Sequence, residues 1–397
     1  MAQRKGHARP SGEVQGVVSF LHALGSPSPD ALPGWLAADG LDASGVNWLQ
    51  AQGLAAFTFH RLHEVGVLTR LPTDVQHGLK SAYYAAAGIN AVQRRETEAV
   101  LRALDHAGID TVLMKGTPLA YTVYAEPACR LKGDLDIWLP PAQLPAAITA
   151  LRPLGYAPRD KSDRPAAFIA LTGGEQQLIG RDPGTGLVEL QWPALRGEWV
   201  RRAAAVDHAA IWARRVAVSI EGRSTWAMAP EDLLIHLCLH LAINHGFGEP
   251  ALRNLLDVHL VAVRLAPDWE AVAERAHAWR LVTMLWTTLS LAVQLWGAPV
   301  PAPVLAALQP GLAHRRAIVT LDLANAVLAM RPGAYSYRRF VIQMLLTDRP
   351  RDAWRLVWRA LLPEAEWLRA RYGVETPAAV WRERMLHPLR LLTSARA

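Results

Sequence analysis

Residues 113–139 read LMKGTPLAYTVYAEPACRLKGDLDIWL. At the C-terminal end of this stretch, Asp134 to Leu139 alternates polar and apolar side chains, the period of a strand buried on one side. Successive side chains of a strand point to opposite faces, so Asp134 and Asp136 share a face and Leu135 takes the other. Two carboxylates side by side repel each other, and a divalent cation offsets that repulsion. Mg²⁺ takes few protein ligands, keeps its waters and bridges to substrate phosphates, so two aspartates suffice. At the other end, Asp110 to Met114 is a short β-type run stopped by Lys115-Gly116, and a helix fits Thr117 to Tyr124. Gly116 permits close backbone approach, and the start of a helix offers free N–H groups to a phosphate. Thr117 adds a hydroxyl, Lys115 a cation, and Arg130 a guanidinium that can hold a phosphate bidentately. Lysine is rare here (Lys5, Lys80, Lys115, Lys132 and Lys161 among 42 Lys and Arg), so a lysine inside a motif is more informative than usual.

Outward from this stretch, Pro140-Pro141 ends the strand and a helix fits Ala142 to Leu151. Gly173-Gly174 and Asp182-Pro183-Gly184-Thr185-Gly186 read as turns, and Gln176 to Ile179 and Leu187 to Trp192 as strands. The second of these places Glu189 and Gln191 on one face. If it neighbours the Asp134 strand, Glu189 becomes a third carboxylate, enough for two metals or for one metal and a base. Residues 109–197 thus read as a small α+β unit. Residues 1–108 read as helical, with a loop at Ser26 to Pro33 and helices over Val46 to Val65 and Thr73 to Ala107. Residues 198–397 read as helical again, with helices from Pro230 to about His245 and over 250–265, 268–278, 280–296, 312–330, 352–371 and 376–392. The expected class is α+β and mostly helical, a small mixed β-sheet flanked by N-terminal and C-terminal helical regions.

Composition narrows the class further. The 397 residues are 51% hydrophobic and 19% charged, which excludes a disordered chain. Two cysteines, Cys129 and Cys238, make neither a disulfide framework nor a cysteine zinc site, and a reduced cytoplasmic protein is expected. The opening residues are polar and basic, and the apolar run Val17 to Leu24 is short and contains His22, so no secretory signal is expected. Leu281 to Trp296 is uncharged but shorter than a membrane span and reads as a buried helix. The net charge of +7 is uneven: residues 331–397 carry 13 Arg, no Lys and 6 acids, while the preceding 330 residues balance. That asymmetry allows contact with nucleic acid or a membrane surface, with a solvated arginine face preferred.

Two other patterns carry weaker chemistry. His236 and His240 stand four apart on a helix, with Asp257 and His259 further on; structural histidines are preferred over a zinc site. Arg349 to Leu362 (RPRDAWRLVWRALL) is a basic helix with Trp354 and Trp358 at helical spacing. Membrane or polyanion binding is conceivable, but a tryptophan stripe in the core with arginines at the wet edge is expected. No Gly-x-Ser-x-Gly elbow, Walker or dinucleotide glycine motif is present.

The stretch 113–139 resembles the uncharacterised nucleotidyltransferase family of the DNA polymerase β-type superfamily. The likeness lies in Leu113/Met114-Lys115-Gly116, Leu119-Ala120, Tyr124, Pro127, Arg130 and Asp134-Leu135-Asp136. It continues in Glu189-Leu190-Gln191-Trp192, where Gln191 replaces a family histidine and cannot act as a general base. Looser similarities follow at Pro230-Glu231-Asp232-Leu233-Leu234 and from Pro363 to Tyr372. The resemblance implies a nucleotidyltransferase core in which Asp134, Asp136 and Glu189 are catalytic and bind Mg²⁺ or Mn²⁺. Lys115, Gly116, Thr117 and Arg130 would contact the phosphates of a nucleoside triphosphate. Gln191, His240, Arg253 and Asp257 would lie near an acceptor pocket. The implied reaction moves a nucleoside monophosphate to a hydroxyl or phosphate of a peptide or small molecule, releasing pyrophosphate. The alternatives are the same fold transferring another group, such as a sugar from a sugar nucleotide, and a non-catalytic nucleotide- or partner-binding protein.

Overall fold

The computed structural model describes residues 14–38, 40–159, 165–181, 185–220, 222–248, 250–329 and 337–394. The turn expected at Asp182-Pro183-Gly184 and the basic opening residues 1–13 lie outside the described residues, as do parts of the arginine-rich 331–397 region.

Among the described residues, seven strands form one mixed sheet: β1 (Val112–Leu113), β2 (Leu135–Trp138), β3 (Tyr156–Pro158), β4 (Glu175–Gly180), β5 (Leu187–Gln191), β6 (Val216–Ile220) and β7 (Arg223–Ala227). Their spatial order is β3-β4-β5-β2-β1-β7-β6. β2 runs parallel to β5 and antiparallel to β1, and the register sets Asp136 opposite Glu189. On one face, Leu135, Ile137, Leu178, Val188 and Leu190 form an apolar cluster. The opposite face carries Asp136, Glu189 and Gln191, together with Glu175 and Gln177, which the β4–β5 register sets opposite Gln191 and Glu189. The two-residue period read from the sequence is therefore the partition between core and cleft.

A long helix, α1 (Thr73–His106), covers the apolar face with Val100, Leu101 and Leu104. It begins after Pro72 and stops where Gly108 takes φ +67, a conformation favoured by glycine. Its earlier turns bury Val75 and Leu79 in the larger helical core, so one rigid element joins the two cores. A short helix, α2 (Gly116–Thr122), follows β1 directly. Beyond the sheet, α3 (Pro230–Leu239), α4 (Ala251–Arg264) and α5 (Val282–Trp296) pack with the N-terminal helices into the larger helical core. In α5 the buried Thr287 and Thr288 hydroxyls donate back to the carbonyls of Thr283 and Met284 at 2.8 and 3.1 Å, satisfying polar groups within an apolar helix. Its first amides, Val282 and Thr283, donate to the Asp348 carboxylate at 3.0 and 2.7 Å, a helix cap supplied by a residue remote in sequence. Among the described residues, no helix is long and apolar enough to cross a membrane.

Several expectations need correction. The helical reading after 198 is interrupted by a hairpin: between the helices Glu198–Ala203 and His208–Ala213 and the one that begins at Pro230, β6 and β7 continue the sheet, and β7 pairs in parallel with β1, Leu113 opposite Ala227. The helix expected over Val46 to Val65 is two, Ala43–Ala51 and Ala55–Glu64. They part at Gly53, where φ is +69 and a Cβ would meet the Arg253 side chain at 3.2 Å. The helix expected over 352–371 breaks ahead of Pro363 into Pro350–Leu361 and Ala365–Tyr372, and that over 312–330 breaks at Asp322, whose φ is +48.

The largest correction concerns the tryptophan stripe. In Pro350–Leu361, Trp354 is 64% exposed and Trp358 50%, whereas Asp352 and Leu356 are buried. The helix turns its acid and one leucine inward and leaves the two indoles at the surface. Trp354→Gln is therefore expected to change unfolding free energy by about 0.5 kcal/mol or less, against about 3–5 kcal/mol for truncating a tryptophan in a core. Chemical denaturation of the variant distinguishes the two.

Candidate active site

The strand-to-helix turn after β1 forces Lys115 to φ +54, a backbone state that side chains other than glycine rarely adopt. The strained turn carries the Lys115 ammonium over the polar face of the sheet. Its Nζ lies 2.5 Å from Asp136 Oδ1 and 3.7 Å from Glu189 Oε2. The Gln191 side-chain amide donates to the same Asp136 oxygen at 2.6 Å. Gln177 donates to Glu189, and Arg196, in the loop after β5, reaches both Glu189 and Glu175. Asp134, Asp136 and Glu189 each offer an oxygen lying within 4.8 Å of the others. Asp136 is 2% exposed. Burial raises its carboxyl pKa above the ordinary range, the Lys115 charge opposes this and Glu189 adds to it. Asp134 is raised by burial and then by the charge of Asp136. Three converging carboxylates, two of them disfavoured as anions, form a hard, all-oxygen donor set that suits Mg²⁺ or Mn²⁺.

These residues line a cavity of about 880 Å³ between the sheet and the helical region. Lys115, Gly116, Arg130, Asp134, Asp136, Glu189, His240, Arg253 and Asp257 all reach its wall. Thr117 does not: it is buried one residue into α2. Gln191 stands behind the wall and acts on Asp136 through its amide.

Arg130 and Asp257 have functions in the architecture that their sequence positions do not show. The Arg130 guanidinium is buried and grips Asp257 with Nε and Nη2, both at 2.8 Å, while Nη1 donates to the carbonyl of Leu131 at 2.7 Å. The Tyr124 hydroxyl donates to the same carboxylate at 2.7 Å, and burial, followed by the charge of Asp257, pushes the phenol well above its ordinary pKa. Helix α4 is thereby tied to the loop that precedes Asp134. The Arg130 fork expected to hold a phosphate already holds a carboxylate.

The histidines also resolve. The His236 Nδ1–H donates to the carbonyl of Ala194 at 3.1 Å, and His259 bonds the carbonyl of Gly25 at 2.9 Å. With Asp257 held by Arg130, a zinc set around His236 and His240 is not assembled; among the described residues, the one metal-capable group is the carboxylate triad. After α3 the chain widens into a π-helical turn, His240–Asn244, a local irregularity that turns side chains toward the cavity. The Asn244 amide donates to His240 Nδ1 at 3.2 Å, so His240 carries its proton on Nε2 and gives it to His245 Nε2 at 2.9 Å. Burial holds His236 down to about 3 and His245 to about 4.

These neutral histidines set a pH dependence. In the unfolded chain they take up protons below about pH 6.5, and in the folded chain only near pH 3–4. Stability is therefore expected to fall as pH drops from about 6.5 toward 4, the window in which only the unfolded state binds the protons. Denaturation midpoints across that range check this, and His245→Gln is expected to flatten the slope by about one proton.

Residues 44–297 match the family described as an uncharacterised nucleotidyltransferase. The chain belongs to this family. Two solved structures are similar in part. One is the antibiotic-resistance factor ANT(2'')-Ia, at 13% identity over 47% of this chain and 91% of that one, with a TM-score of 0.32. The other is an antigenic nucleotidyltransferase-like protein from Paracoccidioides brasiliensis, at 18% identity over 53% of this chain and 91% of that one, with a TM-score of 0.34. No curated protein matches by sequence.

Sequence reasoning passed over Arg196, Lys132 and His245. Arg196 and His245 had no pattern to mark them. Lys132 had one, as a scarce lysine two residues before Asp134.

Proposed function

We propose that the chain transfers a nucleoside monophosphate from a nucleoside triphosphate to a hydroxyl or phosphate oxygen of a peptide or small molecule, releasing pyrophosphate. The observation that carries this reading is the convergence of Asp134, Asp136 and Glu189 within 4.8 Å on the wall of a large cavity, in a member of a nucleotidyltransferase family. The three carboxylates would hold Mg²⁺ or Mn²⁺, which, when bound, supplies charge stabilisation at the transferred phosphoryl group. The acceptor oxygen forms a bond to the α-phosphorus as the bond from that phosphorus to the β-bridging oxygen breaks. The electron pair leaves with pyrophosphate.

The chain's own groups would do the rest. Gln191 and Lys115 fix the Asp136 carboxylate by two hydrogen bonds to one oxygen, leaving the other for a cation. Lys115, at the turn into α2, would face the phosphates. Glu189 would complete the cation site or take the acceptor proton. His240 and His245, neutral and hydrogen-bonded to each other across the π-helical turn, would border the acceptor.

A nucleotide labelled at the α-phosphate tests the reading. The label is expected to appear on the acceptor while unlabelled pyrophosphate is released. Transfer of a sugar or of the γ-phosphate, with the α-label remaining on the nucleotide, would replace it with another group transfer.

A further inference from the structure

Five of the cations lining the cavity fall into two sets. Lys115 and Arg196 face the carboxylates of Asp136, Glu189 and Glu175, and Arg130 is held by Asp257. Lys132 and Arg253 form no ion pair with a described residue. Lys132 is 6% exposed, yet it lines the cavity, and its ammonium has no hydrogen-bond partner among the described residues; the Tyr121 ring centroid lies 5.3 Å from it, and the charges of Glu96 and Arg130 act on it in opposite directions. Arg253 gives Nη1 to the carbonyl of Leu131 at 3.3 Å, and its buried Nε has no partner among the described residues. A buried ammonium without hydrogen bonds is costly, and three unused donors call for a ligand rich in anionic oxygens.

The neighbourhood fits one. A Cβ at Gly116 would lie 3.3 Å from the Lys132 side chain, so the bare glycine keeps the lysine stem against the start of α2. Lys132 precedes Asp134 by two residues on the same cavity wall. A polyphosphate whose reacting phosphorus lies at the carboxylates would extend its tail along the cavity that Lys132 and Arg253 also line, and neither residue is ion-paired with Asp136 or Glu189.

We propose that Lys132, assisted by Arg253, is the seat of the terminal phosphate of a polyphosphate tail and the residue that selects nucleoside triphosphates over diphosphates and diphosphate sugars. The nucleoside part of this statement rests on the nucleotidyltransfer reading; the anion seat does not. The selection follows because a diphosphate lacks the group that would satisfy the Lys132 ammonium.

Calorimetric titration tests the two parts separately, with inorganic tripolyphosphate without metal, then ATP and ADP with Mg²⁺. Lys132→Met keeps most of the stem and removes only the charge, and a matching circular dichroism spectrum establishes that it folds. It is expected to lose about tenfold in tripolyphosphate affinity, the worth of one charge-assisted contact. Its preference for ATP over ADP is expected to shrink by a similar factor with ADP binding unchanged, and Lys132→Arg to restore both. Unchanged tripolyphosphate binding and an unchanged ATP-to-ADP ratio in Lys132→Met would overturn the proposal while leaving nucleotidyl transfer intact. Tripolyphosphate binding through Lys132 with no nucleotide binding by the wild type would uphold the anion seat and remove the nucleotidyltransferase reading. No tripolyphosphate binding by the wild type would overturn the seat.

Discussion

Asp136→Asn is expected to lower Mg²⁺-dependent pyrophosphate release from a nucleoside triphosphate by about a thousandfold or more. A cation at the reacting phosphoryl group contributes several kcal/mol to the transition state, and about 1.4 kcal/mol is a factor of ten in rate. Asp136 is the most buried of the three carboxylates and the one on which Lys115 and Gln191 converge. The substitution keeps the side chain's shape and one acceptor oxygen, so the fold is expected to survive. A coupled pyrophosphate assay with ATP, GTP, CTP and UTP reads the rate, and circular dichroism reads the fold. A variant that folds and releases pyrophosphate at the wild-type rate would exclude Asp136 from the chemistry.

The second large effect is on stability. Asp257→Ala would leave the Arg130 guanidinium and the Tyr124 hydroxyl buried without their shared acceptor. Removing one partner of a buried ion pair costs about 3–5 kcal/mol, because the remaining charge has no compensation. The expected result is a loss of that size in chemical denaturation, with any activity falling as α4 loosens from the loop before Asp134. Replacing both partners, Arg130→Met with Asp257→Leu, is expected to recover much of the loss. A cost under about 1 kcal/mol for Asp257→Ala would show that the contact is not what holds α4 against the sheet.

The sequence made the local geometry of the site readable. The alternation from Asp134 to Leu139 and from Leu187 to Trp192 decided which side chains face the cleft, because a strand has a two-residue period whatever surrounds it. That the two strands are parallel neighbours, with Asp136 opposite Glu189, was conditional in the sequence and is a fact of the register. What escaped was non-local. Arg130 and Asp257 lie 127 positions apart, and nothing near either residue names the other. The Trp354 and Trp358 stripe reads the same whether or not its face finds a neighbour, so only the tertiary arrangement shows it exposed. Strands β6 and β7 form a hairpin at the end of the sheet, and Val216, Val218 and Ile220 do alternate along β6, but that signal is a single short run whose residues stay mostly exposed, and nothing local ties β7 to β1 more than a hundred residues earlier.

The central claim is that the carboxylate triad binds a cation and, through it, a nucleotide. The most direct measurement is the shift in thermal unfolding with ATP, GTP, CTP and UTP, with and without Mg²⁺, in the wild type and in Asp136→Asn. A ligand at about 100 times its Kd adds about 2.7 kcal/mol to stability, well within reach of the method. The expected result is a stabilisation by at least one nucleotide that requires Mg²⁺ and disappears in the variant. No shift with any nucleotide, or an equal shift in Asp136→Asn, would contradict it.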